Sequence, residues 1–439
     1  MPNNFQAGQV VQVTATDVAH GGWCVARPQD GPVVFVRHAL PGETVLARIT
    51  EVTSRLARAD AVEVLTPSPH RVEPPCPYAG PGACGGCDWQ HATLPAQREL
   101  KAAVIRQQLK RLARLDREVT VEALPGDEKA GAGLGWRTRV QYAVRPDGAA
   151  GLRAHRSHEV VAIDECLIAH PAINDLGLTA RRWPGTASVE ALVAAGSGER
   201  AVIVTAKGPV PPDAAAGADA VLRRSGASGR GLTPLRGRAY LSQHAAGQDW
   251  RVSASAFWQV HPGAADALTA AVLTALEPRP GDTALDLYCG AGLFAGALAP
   301  AVGAAGTVTG VESDQAAVRD ARHNLRPWPW ARVRRGDVAA VLRRDLPAAR
   351  LVVADPPRAG LAREVIDYLG ADGHSTDGRG VNRHGADRFA YVSCDPATMA
   401  RDIGLLVARG WTLDNLRAFD AFPMTHHVEC VATLTADPG

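Results

Sequence analysis

Two segments of the sequence carry a reactive side chain directly after an apolar run. Cys394 follows the run FAYVS, and the Asp395-Pro396 step after it predicts the start of a helix. A thiol beside a helix N-terminus is expected to favour the thiolate, its nucleophilic form. Asp355 follows the run LVVA and precedes two prolines, which hold its backbone rigid. Singly, Cys394 would be a small apolar residue and Asp355 a helix cap, but together they favour a catalytic site at one edge of a sheet.

Glu429 is the third candidate for chemistry. It lies in the apolar segment VECVATL, and glutamate is rarely buried without a partner or a function. Burial raises the pKa of a carboxyl, which suits a general base. A cysteine, a rigid carboxylate and a base match the methylation of uracil at C5. In that reaction a thiolate adds at C6, C5 attacks the methyl group of S-adenosylmethionine, and the base removes the C5 proton.

A glycine-containing turn predicts the site of a nucleoside cofactor. Gly290 and Gly292 follow the apolar strand TALDLY and open a helix, so the backbone there can approach a ligand closely. Glu312 ends the next predicted strand, where an acidic side chain can accept hydrogen bonds from ribose hydroxyls. Asp337 ends the third strand, where it either meets an adenine amino group or caps the following helix. A dehydrogenase can carry a similar glycine pattern.

The rest of the chain supplies the elements that must position these residues. Residues 8–65 alternate short apolar runs with turn residues, which predicts about five strands in a small barrel of the OB type. Residues 94–115 have helical periodicity, residues 136–205 are rich in strand patterns, and residues 208–237 predict a loop insertion. From about residue 264 helices alternate with buried strands, which predicts an α/β Rossmann-like, doubly wound domain.

These patterns divide the chain into three predicted domains. The barrel spans residues 1–68, a strand-rich central domain spans 69–255, and the Rossmann-like domain spans 256–439. Within the last domain, residues 371–388 are polar and rich in glycine, which predicts a loop.

The overall charge gives no indication of a nucleic-acid partner. There are 47 Lys and Arg and 45 Asp and Glu residues, a net charge of +2, whereas nucleic-acid-binding proteins are often strongly basic. The barrel region, residues 1–65, holds five arginines and six acidic residues. Positive charge concentrates at 98–117 and 319–344, where we expect phosphate contacts. Since the sequence has neither a signal-peptide pattern nor an apolar run of ~20 residues, we expect a soluble, cytoplasmic protein with no membrane partner.

The motifs around these residues resemble the RNA (uracil-5-)-methyltransferase family along nearly the whole chain. The resemblance implies that Cys394 in SCDPATMARD is the nucleophile, and that Glu429 in HHVEC is the general base. It also implies that Asp355 in DPPR contacts uracil beside the cofactor, S-adenosyl-L-methionine. The barrel resembles a TRAM domain, an RNA-binding module. The implied cofactor-binding residues are Gln259 in AFWQV, Tyr288 where Phe is frequent, Gly290, Gly292, Glu312, Asp337 and Asp355.

Four of the eight cysteines also resemble a family feature. Clustered cysteines in a reducing compartment indicate a metal site or catalysis more than disulfides. Cys76, Cys84, Cys87 and Cys166 are similar to the family's ligand set for a 4Fe–4S cluster, although the gap between Cys76 and Cys84 is longer than in the family. By spacing alone, a four-cysteine zinc site is an alternative. The cluster would be structural, because the methylation needs no redox step.

The resemblance therefore implies a class of reaction and of substrate. We expect methylation of uracil C5 in structured RNA by covalent addition of Cys394, with the target base extruded from its stack. A TRAM domain together with four cluster cysteines favours 23S ribosomal RNA over transfer RNA as the substrate. The alternatives are amino-group methylation of adenine or guanine, and a non-catalytic RNA-binding assembly factor. We expect a monomer.

Overall fold

A computed structural model of the chain describes residues 5–28, 31–127, 133–225, 231–344, 348–370 and 386–436. Most of the loop predicted at 371–388 lies outside these ranges. Among the described residues, no helix is both long enough and apolar enough to cross a membrane.

Five strands near the N-terminus close into a barrel. They are β1 (Val10–Ala19), β2 (Trp23–Ala26), β3 (Val33–Arg37), β4 (Thr44–Val52) and β5 (Leu56–Thr66). The order around the barrel is β1-β2-β3-β5-β4. Small and branched side chains such as Val34, Val36, Ala57 and Ala59 point inward and are fully buried, as expected for alternating strands. The predicted OB-type barrel is confirmed.

A second sheet of seven strands forms the centre of the molecule. Its strands and one short helix are β7 (Arg139–Val144), β8 (Ala150–Arg153), β9 (Val160–Ala162), α2 (Pro171–Asn174), β10 (Thr186–Val193), β11 (Arg200–Ala206), β12 (Ala220–Ser225) and β13 (Leu232–Arg236). The strand order is β13-β12-β11-β10-β7-β8-β9. The expectation of a loop insertion at 208–237 was wrong for its second half, because β12 and β13 extend the sheet there, whereas residues 208–219 contain no helix or strand. A separate hairpin of β14 (Tyr240–Ala245) and β15 (Gln248–Ser253) follows.

The C-terminal part has an eight-stranded sheet between helices. Its elements are α3 (Ala264–Leu276), β16 (Thr283–Leu287), α4 (Leu293–Val302), β17 (Thr307–Glu312), α5 (Gln315–Asn324), β18 (Ala331–Arg335), α6 (Val338–Leu342), β19 (Leu351–Ala354), α7 (Arg363–Leu369), β20 (Arg388–Ser393), α8 (Pro396–Val407), β21 (Trp411–Phe419) and β22 (Glu429–Ala436). Strands β16 to β20 run parallel, and β22 is antiparallel to both β20 and β21. The predicted Rossmann-like domain is confirmed, with β21 as a strand that the sequence analysis did not assign.

Part of the predicted central domain packs on this C-terminal sheet instead. Helix α1 (Leu94–Gln108) continues as a π-helical turn, Leu109–Ala113, and a two-residue strand β6 (Val121–Glu122) follows. Strand β6 joins the eight-stranded sheet beside β21. Ile105 and Leu109 lie in the same apolar core as Met399 of α8. In sequence order, one strand of the C-terminal sheet, β6, thus comes before all the strands of the seven-stranded sheet.

Candidate active site

The three candidate catalytic residues lie at neighbouring strand ends. Asp355 follows β19 and Cys394 follows β20, and these two strands are adjacent and parallel. Glu429 is the first residue of β22, which runs antiparallel to β20 with Ser393 opposite Cys430. Continuing that register by one position brings Cys394 beside Glu429. One edge of the sheet therefore presents a thiol and two carboxyl groups.

The two carboxyl groups influence each other. Burial, reinforced by the charge of Asp355, raises the pKa of Glu429 well above its ordinary value, although Arg358 opposes the shift. Burial raises the pKa of Asp355 to about 7. Both shifts follow from removing the carboxyl groups from water, and for Glu429 the neighbouring charge of Asp355 adds to the effect. Glu429, which is 3% exposed, thus has the raised basicity expected of a general base.

The thiol of Cys394 is not in the state that the sequence analysis expected. Burial raises its pKa to about 11, and the charges of Glu429 and Asp355 add to the shift while Arg358 opposes it. Cys394 lies just before α8, whose first turn is capped by Asp395. Burial and the nearby carboxylates raise the pKa of Cys394 by more than the helix N-terminus lowers it, so the resting form is the thiol. Any nucleophilic attack must therefore include removal of this proton.

A cavity of about 110 Å³ opens beside the thiol. The side chains and backbone around it include His20, Gly22, Lys101, Arg358, Cys394 and His427. Burial lowers the pKa of His427 to about 3, with His426 and Arg358 adding to the shift. The neutral His427 Nε2 can then accept from Arg358 Nη2 at 3.2 Å. This contact orients the guanidinium of Arg358, which opposes the raised pKa values of Cys394 and Glu429.

Lys101 is a functional candidate that the sequence analysis did not single out. It is 1% exposed on α1, and its Nζ lies 2.5 Å from Asp420 Oδ1 and 3.0 Å from the carbonyl of Phe422. In the sequence, Lys101 belongs to the basic stretch of α1, which gives no sign that its side chain is buried. Its partner Asp420 is 319 residues further along the chain, so the local sequence does not indicate the pair. The pair ties α1 to the segment that leads into β22 and Glu429.

The glycine turn after β16 has the geometry of a ligand cradle. Gly290 has φ +53° and Gly292 has φ +93°, and Gly292 is the N-cap residue that directly precedes α4. A Cβ on Gly290 would meet nothing within 4 Å, whereas one on Gly292 would be 3.3 Å from the Cβ of Ala321. The first glycine therefore faces open space and the second allows close packing of two helices. Such a turn fits a nucleoside cofactor at the carboxyl ends of the strands.

Acidic residues lie at the ends of the strands beside this turn. Glu312 ends β17, and its carboxylate accepts hydrogen bonds from the backbone N–H groups of Gly290, at 3.1 Å, and Asp314, at 2.7 Å. Asp337 Oδ1 accepts from the N–H of Ala340 at 3.0 Å and caps α6, which is one of the two roles that the sequence left open. Because β17 and β18 are adjacent and parallel, Glu312 and Asp337 lie along the same edge.

The two remaining cofactor candidates sit in different surroundings. Tyr288 is next to the turn with φ +66°, and burial raises the pKa of its hydroxyl, with a contribution from Asp337.

Gln259 is 7% exposed in the segment after β15. That segment is held to β7 and the residue before it, because Arg139 Nη1 donates to the carbonyl of Ala256 and the Thr138 N–H donates to that of Val260. Phe257, with 66% of its surface exposed, is an aromatic side chain in this segment that the sequence analysis did not assign.

The four candidate metal ligands line one cavity of about 450 Å³. Cys76, Cys84 and Cys87 come from the loop between the barrel and α1, and Cys166 comes from the segment after β9. Burial raises the pKa of Cys84, and the charges of Cys166 and Cys76 add to that shift, so these thiols are near one another. Within the described ranges, no three His, Cys, Asp or Glu side chains are close enough to hold a single metal ion.

Comparison with known proteins decides the family. The TRAM domain profile matches residues 4–62, and the tRNA (uracil-5-)-methyltransferase profile matches residues 344–437. The chain is 49% identical to an uncharacterized RNA methyltransferase of Streptomyces coelicolor over 437 residues, which is 97% of this chain and 93% of the relative. A second uncharacterized RNA methyltransferase, of Streptomyces avermitilis, is 50% identical, with 97% and 98% covered.

This chain belongs to the RNA methyltransferase family. Its C-terminal part is the uracil-5-methyltransferase domain, and membership makes the chain an S-adenosylmethionine-dependent enzyme that acts on RNA. The protein-L-isoaspartate O-methyltransferase profile also matches residues 247–337, which hold the glycine turn. In fold the methyltransferase resembles a Pyrococcus abyssi tRNA (uracil-54, C5)-methyltransferase solved with S-adenosyl-L-homocysteine. The TM-score is 0.72 at 23% identity, with 96% of this chain and 100% of the other covered.

Proposed function

We propose that this methyltransferase transfers a methyl group to C5 of uracil in structured RNA through a covalent intermediate on Cys394. The observation that carries the proposal is the register of β20 and β22, which sets Cys394 beside Glu429. A nucleophile for C6 and a base for the C5 proton are the two groups that this reaction needs from the protein. Methylation of an exocyclic amino group needs no thiol, and a non-catalytic factor needs neither group.

The proposed sequence of bonds starts from the thiol. The Cys394 proton passes to the Asp355–Glu429 pair, whose raised pKa values allow it to hold a proton. Sγ then bonds to C6, and the electron pair of the C5–C6 double bond moves toward C5. S-adenosylmethionine would supply the methyl group to C5 and leave as S-adenosylhomocysteine. The pair releases the Cys394 proton to solvent, so the Glu429 carboxylate can then remove the C5 proton. The electron pair of that C–H bond restores the C5–C6 double bond as the C6–S bond breaks, and the departing thiolate takes back a proton from Glu429.

We propose Asp355 as the residue that holds the edge of the uracil ring. Its backbone is fixed, because Pro356 and Pro357 follow it and its N–H lies 3.3 Å from the carbonyl of Leu287. With a pKa of about 7 it can donate or accept at neutral pH. We further propose that the turn at Gly290 and Gly292 carries the methionine part of the cofactor, that Glu312 binds the ribose and Asp337 the adenine, and that Gln259 and Tyr288 complete the site.

The covalent step can be tested with RNA that carries 5-fluorouracil. Fluorine at C5 cannot leave as a proton does, so the enzyme should remain bonded to the base. We expect a methylated protein–RNA adduct that survives denaturing electrophoresis and maps to the peptide containing Cys394. Cys394→Ala should form no adduct and no product, whereas Cys24→Ala, which changes a buried cysteine of strand β2 in the barrel, should still form the adduct. Full activity in Cys394→Ala would contradict the mechanism.

We propose 23S ribosomal RNA as the substrate, because the TRAM-type barrel and the four clustered cysteines resemble that branch of the family. Transfer RNA is the second candidate, since the matching profile and the Pyrococcus abyssi enzyme both carry tRNA in their names. Mapping 5-methyluridine in both RNA classes from a strain lacking the gene distinguishes them. Loss of the modification from one class identifies the substrate, and an unchanged map in both would contradict the proposal.

We propose that Cys76, Cys84, Cys87 and Cys166 hold a structural 4Fe–4S cluster. The support is that all four thiols line one cavity of about 450 Å³, while no three of the described side chains lie close enough together for a single ion such as zinc. The ligands join the loop before α1 to the seven-stranded sheet, so a cluster would fix these two parts together. Anaerobic purification followed by iron, sulfide and zinc analysis tests this. Four iron atoms per chain are expected, and one zinc with no sulfide would contradict it.

A further inference from the structure

The turn between β1 and β2 leaves the barrel wall and enters the catalytic cavity. His20, Gly21 and Gly22 line the same space of about 110 Å³ as Cys394. The barrel therefore contributes to the wall of the space in which the target base would react.

His20 contacts the residue next to the nucleophile. Its Nε2 lies 3.2 Å from Oδ2 of Asp395, and the two side chains are 38% and 22% exposed. Although burial alone would raise the pKa of Asp395, the contact with His20 and hydrogen bonds from Thr398 hold it well below its ordinary value. Asp395 is thus a carboxylate that pairs with a group from a different part of the molecule.

The other oxygen of Asp395 sets the start of helix α8. Oδ1 accepts hydrogen bonds from the N–H of Ala397 at 3.0 Å and from that of Thr398 at 2.9 Å. A side chain that caps a helix in this way fixes the backbone at the cap. Because Cys394 precedes Asp395 directly, the orientation of its thiol depends on the same cap. His20 therefore acts on the thiol through one intervening side chain.

The glycines of the turn permit this approach. Gly22 has φ +81°, and a Cβ there would lie 3.1 Å from side-chain atoms of both Asp88 and His426. Asp88 Oδ2 in turn lies 2.6 Å from His426 Nδ1. The rings of His426 and His427 are 4.0 Å apart, and His427 lines the cavity. Any larger residue at position 22 would push the turn away from the cavity wall.

We propose that the turn His20-Gly21-Gly22 of the barrel is a working part of the uracil pocket, and that His20 is a positioning residue for Cys394 acting through Asp395. The RNA-binding barrel and the methyltransferase domain would then form one composite active site. This inference rests on the proposed function, because it assumes that Cys394 is the nucleophile. It adds a role for the barrel in the chemical step besides RNA binding.

The test compares full-length variants in single-turnover methylation of RNA from a strain lacking the gene, with RNA affinity measured separately. His20→Ala should lower the rate at saturating RNA about tenfold and change the Kd for RNA less than threefold. His20→Gln keeps a donor for Asp395 and should restore the rate to within threefold of the parent. The control is His244→Ala, because His244 forms a comparable pair with Asp249 at 2.9 Å on the exposed hairpin.

Glycine variants provide a second test that separates the turn from general stability. Gly22→Ala should lower the single-turnover rate at least tenfold. Gly42→Ala is the matched control, because Gly42 lies in the same barrel with φ +88° but a Cβ there meets nothing within 4 Å. Both variants carry the strain of a positive φ, so similar unfolding temperatures with different rates would assign the effect to the contact.

The outcomes separate this inference from the proposed function. If Cys394→Ala keeps its activity, the covalent mechanism fails whatever the histidine variants do. If Cys394→Ala is inactive but His20→Ala loses less than threefold in rate, or if His20→Gln is as slow as His20→Ala, the role of His20 is overturned while the mechanism stands. The inference is also overturned if the whole loss in His20→Ala appears in the Kd for RNA.

Discussion

Cys394 and Glu429 occupy the next position in register after the Ser393–Cys430 pair of β20 and β22. Antiparallel pairing brings residues that are far apart in sequence side by side, and here it unites the proposed nucleophile and the proposed base from two different motifs. The same edge carries Asp355, so the protonation states of the three groups depend on one another.

Glu429→Gln should separate the two halves of the reaction. The amide cannot remove the C5 proton, so the methylated intermediate should stay bonded to Cys394 even with ordinary uracil. We expect product formation to fall about 10²- to 10⁴-fold, the range for loss of a general base. Denaturing electrophoresis with tritiated methyl donor checks this. Glu118→Gln is the control, because that side chain is 96% exposed, and a normal product rate for Glu429→Gln would exclude it as the base.

The reactivity of Cys394 should depend on Asp355. With a pKa of about 11, only about one thiol in a thousand is ionised at pH 8. The Asp355 charge disfavours the thiolate, so Asp355→Asn should lower the pKa of Cys394 and increase its alkylation by iodoacetamide at pH 8 several-fold. In the parent protein the rate should keep rising beyond pH 10. Peptide mass spectrometry measures the rate.

The control for that experiment is Asp249→Asn, because Asp249 is 89% exposed and belongs to the separate hairpin. It should leave the alkylation profile unchanged. An alkylation rate for Cys394 that levels off near pH 8 would mean that the thiol is already ionised there and that the carboxylates do not control it.

Glu312→Gln should weaken cofactor binding. The carboxylate accepts from the N–H groups of Gly290 and Asp314, and the proposed ribose contacts would add to these. An amide loses one acceptor atom, and a hydrogen bond to a charged group contributes about 1.5–3 kcal/mol. We expect the Kd for S-adenosylhomocysteine to rise about 10- to 100-fold by isothermal titration calorimetry. Glu364→Gln, whose side chain pairs with Arg343, should bind normally, and an unchanged Kd for Glu312→Gln would reject the assignment.

Lys101→Met should destabilise the protein strongly. Among the described residues, the substitution leaves Asp420, which is 1% exposed, with Arg98 at 4.0 Å as its remaining ion-pair partner. Removal of one partner from a buried ion pair costs about 3–5 kcal/mol, and we expect about 3 kcal/mol in the free energy of unfolding by urea. Lys110→Met removes an exposed pair with Asp116 and should cost at most about 1 kcal/mol. Equal losses of unfolding free energy in the two variants would contradict the prediction that the buried pair contributes more to stability than the exposed one.

Phosphate contacts should come from only part of the basic stretch at 98–117. Lys101 and Arg106 are paired with acidic groups of the protein, whereas Arg111 and Arg114 lie on the exposed surface. If Arg111 contacts a phosphate, Arg111→Ala should reduce the slope of log Kd for RNA against log salt by about 0.7–0.9. Arg363→Ala, with an 87% exposed side chain, is the comparison. Equal salt slopes for the Arg111→Ala and Arg363→Ala variants would mean that Arg111 does not contact a phosphate of the RNA.

The sequence predicted those parts of the fold that local pattern determines. Alternating apolar residues with Gly, Pro and Asp between them defined the barrel, and long apolar runs defined the parallel strands of the sheet. Strand ends then placed Asp355, Cys394 and Glu312 at one edge, because parallel strands share their carboxyl ends. The location of these residues at one edge of the sheet could therefore be predicted from the sequence alone.

Features that depend on distant contacts could not be predicted in this way. Strand β21 has a mixed polar pattern that only its pairing with β22 explains, and the two-residue β6 is too short for any periodicity. The raised pKa of Cys394 depends on carboxylates that arrive from other strands. The contact between His20 and Asp395 joins a barrel turn to a helix cap, and neither local sequence indicates the other.

The pairing of β6 with β21 has a consequence for the order of events during synthesis. Residues 121–122 leave the ribosome long before residues 411–419, yet they pair in one sheet. The strands of the barrel pair with one another and can fold early. Helix α1 packs against α8, so the part of its apolar face that contacts α8 has no partner from the chain until α8 has been synthesised. Such long-range closure is slow and leaves unfinished surfaces exposed. We therefore expect truncated chains that end before α8 to require chaperones, while the finished chain does not.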